Sequence, residues 1–463
     1  MTLETDIKQD IATFNHIFDA LLQDEIDNPM TEVKEPEVLF KQLDIGLRDE
    51  PMPDDAFNEN LKALVLKTPK TSGNRFFNQL FGGRKGRAIL GDLLAVVLNN
   101  SMYTYKVGGP QICVEREIIR QICAKIGYGE AGGGTFPTGA SMANFMALIM
   151  ARDKFNAEIC HKGVQQTLVA YSSEESHYSI AKNASFAGIG RDNVRYIAAD
   201  SDGKIQTDAL EKQIKADLAK GLNPIFINAT AGTTVLGSYD PIEDLSVIAK
   251  KYNLWLHVDG ALGGAAMFSE QFNYLLSGIE KSDSFAFNAH KMLGVPLSSS
   301  MIFARDKQYL YQSFSNDADY LYQGHSDDYN LGKMSLQCGR RNDALKFWTL
   351  WKSVGTKGLE EIVDYQFEQS KIAHDYIEKH PDYTVYSKIP SVTVCFNYNN
   401  IDPVKLCTEL YEQQKIMVGY GAQGDTTFIR SVSVNTSNST EDTLAFFKVL
   451  EGFVEKNQVL LKT

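Results

Sequence analysis

No two cysteines in the chain form a Cys-x-x-Cys pair. The six that occur among 463 residues are scattered at positions 113, 123, 160, 338, 395 and 407. A chain this long can bury a large core without cross-links. The pattern therefore reads as reduced thiols, not a disulfide frame or a zinc site, and points to a cytoplasmic setting. Long apolar runs are missing too. No stretch of about eighteen apolar residues exists, so no membrane span is expected. The opening MTLETDIKQDIATFNHIF has neither a basic n-region nor an apolar h-region, so no signal peptide is expected. Positive charge is in deficit, with 46 Lys and Arg against 58 Asp and Glu and a net charge of −12. That balance argues against nucleic-acid or anionic-membrane partners, but not against a small anionic substrate in a locally positive site. Internal repeats and low-complexity tracts are absent.

What is present suits a large globular enzyme. Hydrophobic residues make up 43% of the chain, and the length suggests roughly two to three domains. Residues 1–80 begin with a helical pattern and turn irregular around Pro51, Pro53 and Pro69. From about 81 to 342 short apolar runs alternate with helical periods. TLVAYSS, VRYIAA, NPIFINAT, LWLHVDGA, DSFAFNA and SSMIFA read as strands. HYSIAKNASFAGI, TDALEKQIKADLAKG and PIEDLSVIAKKYN read as helices. This alternation predicts a mainly parallel sheet wrapped by helices. Ligands bind at the carboxyl ends of strands in such sheets. Residues 343–463 read as a smaller α+β domain: a long helix, the strands SVTVCFNY and TTFIRSVSVN, and a last helix opened by Ser439 and Asp442 at capping-box spacing.

GYGEAG at 127–132 matches a dinucleotide fingerprint, but the segment before it, REIIRQICAKI, has helical and not strand spacing, so the match is rejected. The next stretch is more informative. GGGTFPTGASMANFMALIMARDKF runs from a glycine-rich turn into a helix. Ala140 and Ser141 would there offer backbone N–H groups to an anion, although a purely structural turn explains the same residues. Three side chains follow strands: His177 in ESHYSIAKN, Asp259 in HVDGALGG and Lys291 in FNAHKMLGVPLSSS. Singly they read as a satisfied histidine, a turn-capping aspartate and a snorkelling lysine. Together, at one edge of one sheet and beside a phosphate cradle, they are the set that pyridoxal phosphate requires: an amine for its aldehyde, a carboxylate for its ring nitrogen, a flat group for its face and N–H donors for its phosphate.

NATAGTTVLGSYDPI, LWLHVDGALGGAAMFS, DSFAFNAHKMLGVPLSSS and MSLQCGRRNDALKFWTLWKSVGTKG resemble, in order and spacing, the pyridoxal-phosphate-dependent group II amino acid decarboxylases, from about residue 65 to the C-terminus. The resemblance implies a type I, aspartate-aminotransferase-like α/β fold: a large cofactor-binding domain (81–342), a smaller α+β domain (343–463) and an N-terminal segment (1–80) at the interface of a homodimer. It implies that Lys291 is the Schiff-base lysine, that Asp259 pairs with the ring nitrogen, and that His177 and Ala261 cover the two ring faces. Thr234 would lie near the ring hydroxyl. Ala140, Ser141, Asn288 and His290 would hold the phosphate. One departure is Ala289, where the family usually has proline; it is expected to alter local stiffness and not chemistry.

Residues 315–334, SNDADYLYQGHSDDYNLGKM, are polar and lack periodicity. A loop of this length inside a compact enzyme is usually functional or disordered. Relatives have a mobile loop here that donates a tyrosine proton to Cα. Tyr329 is the candidate and His325 the runner-up, and a solvated loop is the bland alternative. RFFNQLFGG and NNSMYTYKVGGP resemble the glutamate and cysteine sulfinate branch. Arg430 matches an arginine facing the substrate carboxylate there, a bidentate partner for a carboxylate or sulfinate; otherwise it is an ion pair inside the small domain. Gln79 could add a polar contact. Lys106 departs from the branch's acidic residue. The expected activity is α-decarboxylation of glutamate, aspartate or cysteine sulfinate. Alternatives are an aromatic or 2,4-diaminobutyrate decarboxylase, an aldehyde synthase, or a retired homologue that only serves as a dimeric partner.

Overall fold

The computed structural model describes residues 3–316, 322 and 327–462. His325 lies outside the described residues.

Seven strands form the main sheet: β1 (Gly133–Thr135), β2 (Leu168–Ser173), β3 (Val194–Ile197), β4 (Asn223–Thr230), β5 (Trp255–Gly260), β6 (Ser284–Asn288) and β7 (Ser300–Ala304), in the order β1-β7-β6-β5-β4-β2-β3. The pairs β3–β2, β2–β4, β4–β5 and β5–β6 are parallel. The last two positions differ from a purely parallel sheet, because β7 and then β1 add in antiparallel sense. The strands β2, β5, β6 and β7 are buried along their whole length. That is why they read as unbroken apolar runs: helices cover both faces. Phe285 and Phe287 of β6 face one layer, with the helices Thr207–Ala219 and Ile242–Tyr252, while Ala286 faces the other, with the helix Ala140–Phe155.

Four antiparallel strands form a second sheet: β8 (Tyr383–Val385), β9 (Thr393–Tyr398), β10 (Gly419–Gln423) and β11 (Thr426–Val432), in the order β10-β11-β9-β8. The helix Ala344–Glu378 leads to it, bending at Gly355, whose φ of 69° is outside helical space. The last helix, Thr440–Lys456, opens with the expected capping box: Asp442 N donates to Ser439 Oγ (3.2 Å) and Ser439 N to Asp442 Oδ2 (2.9 Å).

Residues 75–77 join this second sheet's surroundings. Phe77 N donates to Met417 O (2.8 Å), Met417 N to Arg75 O (2.9 Å) and Val432 N to Phe77 O (3.0 Å). Phe77 is buried among Phe446, Val394 and Ile429 of the second core. GYGEAG follows the helix Pro110–Lys125 and contains a short 3-10 turn, Gly129–Ala131, so a helix and not a strand precedes it. The glycine-rich segment after it is pinned from below. Arg340, 3% exposed, donates to Glu115 Oε1 (2.8 Å), Thr135 Oγ1 (2.7 Å) and Met102 O (2.9 Å).

Candidate active site

The carboxyl ends of β2, β5 and β6 converge. Asp259 is the penultimate residue of β5, paired in register with Thr230 of β4 on one side and Ala286 of β6 on the other. The next residue must be small: a Cβ on Gly260 would collide with the Phe285 ring. The turn then brings Ala261 N back to donate to Asp259 Oδ1 (3.1 Å), and Asn144 Nδ2 donates to Asp259 Oδ2 (2.7 Å). Asp259 is only 5% exposed, so both oxygens are fixed by donors and not by water.

Lys291 sits one turn beyond β6, beside this carboxylate. Burial pushes its ammonium below the usual lysine range, Asp259 pulls it up, and the neighbouring Arg430 pushes it further down. The amine is thus made easier to deprotonate, as a nucleophilic lysine requires. His177, after β2, feels the same two groups: burial lowers its pKa first, Asp259 raises it and Lys291 lowers it. Ser179 N donates to His177 Nδ1 (3.2 Å), so the neutral ring carries its proton on Nε2.

The expected phosphate residues lie around the same edge. No side chain caps the N-terminus of the helix Ala140–Phe155, and Asn183 Nδ2 donates to Ser141 O (2.6 Å), holding that first turn in place. His290 Nδ1 lies 3.0 Å from Ser299 N and 3.1 Å from Ser299 O, which fix the ring, and burial lowers its pKa to about 4. Asn288 Oδ1, Ser299 Oγ and Ser300 Oγ are buried without a partner among the described residues. Orphaned buried polar atoms call for a polar guest. An uncapped helix N-terminus, a neutral histidine, a basic lysine and a fixed carboxylate together fit pyridoxal phosphate. Ala289 has its own role: its N–H donates to Ser299 O (2.9 Å), a bond that proline could not make.

Thr234 is half-buried, and its carbonyl accepts from Arg430 Nη1 (2.8 Å), while Arg430 Nη2 donates to Asn78 O (2.7 Å). Arg430 Nε is buried with no partner, and no carboxylate pairs with Arg430 among the described residues. Gln79 is exposed, next to the Asn78 that Arg430 holds; Lys106 is exposed as well. Tyr329 stands apart. Arg116 lies 3.8 Å over its ring and Tyr105 meets it edge-on at 5.6 Å. The cavity it lines, of about 350 Å³, includes none of Lys291, His177 or Asp259. Asn144 was not foreseen from the sequence; it lies within an apolar helical run that gives no local sign of a polar task.

Comparisons with known proteins identify the family. Residues 36–399 match the family model of the pyridoxal-dependent decarboxylase conserved domain. The chain is 34% identical to the acidic amino acid decarboxylase GADL1 of Xenopus tropicalis over 443 residues, covering 90% of this chain and 86% of the relative. It is 33% identical to human cysteine sulfinic acid decarboxylase over 460 residues, covering 93% and 92%. Among solved structures, mouse CSAD superposes with a TM-score of 0.89 at 31% identity, covering 95% of this chain and 98% of that one. The chain belongs to the pyridoxal-phosphate-dependent amino acid decarboxylases.

Proposed function

We propose that this enzyme removes the α-carboxyl group of an L-amino acid with an acidic side chain, namely glutamate, aspartate or cysteine sulfinate, and works in the cytoplasm as a homodimer. Arg430 carries the reading. It is a part-buried guanidinium near Lys291 with an unpartnered Nε and no carboxylate to neutralise it among the described residues. A carboxylate or sulfinate side chain would supply that partner. The names of the two relatives point the same way.

When bound, pyridoxal phosphate supplies the electron sink that carbon dioxide loss needs. Residues 81–342 would hold it. Asn288, His290, Ser141 and the N–H of Ala140 would bind its phosphate, and Thr234 would lie by its ring hydroxyl. His177 and Ala261 would cover its two faces. The Asp259 carboxylate would pair with its ring nitrogen. Lys291 Nζ, made easier to deprotonate by burial and by Arg430, would supply the amine that holds the cofactor's aldehyde. Gln79 adds a polar contact at the mouth. Tyr329, which lines a cavity apart from Lys291 within one chain, would return a proton to Cα in the partner subunit's site of the proposed homodimer, with His325 as the second candidate. Residues 343–463 carry Arg430.

The homodimer has support in the apolar face of the helix Gly86–Leu98, where Leu94 and Val97 are 45% and 73% exposed. Faces of this kind mark interfaces between subunits, and Thr71 and Ser72 line a cavity with Leu93 and Val96 of the same helix. Leu94→Asp combined with Val97→Asp is expected to convert a dimer into monomers in sedimentation. A wild type that runs as a monomer would remove the assembly from the proposal.

Substrate choice is tested by carbon dioxide release on glutamate, aspartate, cysteine sulfinate, tyrosine, DOPA and 2,4-diaminobutyrate. An acidic substrate is expected to turn over. Arg430→Ala should lower kcat/KM for it by about 10- to 100-fold, the cost of a charge-assisted bond, with the visible absorbance of bound cofactor retained. Turnover of aromatic or diamino acids alone overturns the acidic reading, and hydrogen peroxide released with the carbon dioxide would reveal an aldehyde synthase.

A further inference from the structure

Behind Asp259 runs a line of four buried polar side chains that no water reaches. Trp255 Nε1 donates to Ser284 Oγ (2.8 Å). Ser284 Oγ lies 2.8 Å from His257 Nδ1, and His257 Nε2 lies 3.0 Å from Asn144 Oδ1. Asn144 Nδ2 completes the line at Asp259 Oδ2 (2.7 Å) and also reaches Ser179 Oγ (3.2 Å). None of the four is more than 1% exposed.

The direction of every bond follows from the two ends. The indole N–H of Trp255 can only donate. The Ser284 hydroxyl proton then has His257 Nδ1 as its one acceptor among the described residues. His257 must therefore carry its proton on Nε2 and donate it to Asn144 Oδ1. This turns the Asn144 amide so that its NH2 faces Asp259, whose Oδ2 accepts from it. Burial lowers the His257 pKa to about 4, consistent with a neutral ring having one donor and one acceptor nitrogen. The reverse setting would offer Asp259 an oxygen and would strand the Ser284 hydroxyl.

We propose that Asn144 and His257 are positioning residues that hold the Asp259 carboxylate aimed at the cofactor's ring nitrogen, and thereby set the affinity and absorbance of the bound cofactor without touching it. The inference rests on the reading of Asp259 given above. Fully satisfied buried networks of this kind fix one arrangement, and their outer members commonly tune the group they hold.

The test is titration of cofactor-free, full-length protein with pyridoxal phosphate, followed by visible absorbance, alongside thermal unfolding of the cofactor-free forms. His257→Leu removes the Nε2 donor. His257→Gln keeps an N–H near that position. The leucine variant is expected to bind the cofactor at least about tenfold more weakly with a shifted visible band, and the glutamine variant to recover most of both. Asn144→Ala is expected to match the leucine variant, and the double variant to be no worse than either single one. Wild-type affinity and band in both His257→Leu and Asn144→Ala would overturn the proposal. Equal losses in the leucine and glutamine variants would overturn it too, since packing alone would then account for them. If the leucine variant does not fold, Asn144→Ala decides the matter alone. A wild type that takes up no pyridoxal phosphate at all defeats the reading of the site, and this inference with it.

Discussion

Lys291→Ala is expected to lose carbon dioxide release by ~10³-fold or more, in the range that follows loss of a catalytic nucleophile. The visible band of the bound cofactor should vanish with it. The fold should not suffer. The lysine is penalised by burial and by Arg430, with only Asp259 in its favour. Its folded-state pKa is depressed, so at neutral pH the unfolded chain binds the extra proton more readily, and this residue works against folding. Alanine relieves that cost. Thermal unfolding of the cofactor-free variant is therefore expected at or above the wild-type midpoint, the usual trade between stability and a strained site. A variant that keeps the band and turns over normally would refute the assignment of Lys291.

Arg340→Met should be the most damaging single change to stability, at about 3–5 kcal/mol, the cost of stranding one partner of a buried ion pair. Both side chains of the Arg340–Glu115 pair are 1% exposed. Burial pushes the Glu115 carboxyl up, while Arg340 pulls it down. Without the arginine the folded-state pKa rises further above the unfolded value. The native state then holds the proton more tightly, so the variant keeps most stability at acidic pH and loses it as pH rises through the carboxyl range. Denaturant midpoints measured at pH 5 and pH 8 should show a larger deficit at pH 8. An equal deficit at both would mean that lost packing, and not the orphaned carboxylate, is responsible.

Sequence pattern revealed the strands that carry the chemistry because they are buried on both faces. NPIFINAT, LWLHVDGA and DSFAFNA have no other use for so many apolar residues, and the polar residues closing them stand out. The strands that escaped notice are short or rich in glycine. β1 is GGT, β10 is GYGAQ, and β8 is the three residues YTV. Their membership is decided by distant partners and not by local preference. Asn144 was illegible for a similar reason: its partners come from β5, remote in sequence. His257 did leave a sign. It lies two residues before Asp259 in an apolar strand, and residues i and i+2 share a face. Arg430 was legible as a charged residue in a strand, but not its grip on two carbonyls, since backbone acceptors leave no mark in a sequence.

The pairing of Phe76 with Met417 has a meaning for how the protein is made. The early segment cannot reach its resting place until about 340 further residues have left the ribosome. At translation speeds of about 5–20 residues per second this is a wait of roughly 20–70 s. Phe76 and Phe77, 5% and 4% exposed once folded, spend that time in water. Nascent chains of this protein should therefore depend on chaperone cover at their front end, and a slower ribosome would lengthen the exposure without changing a single native contact.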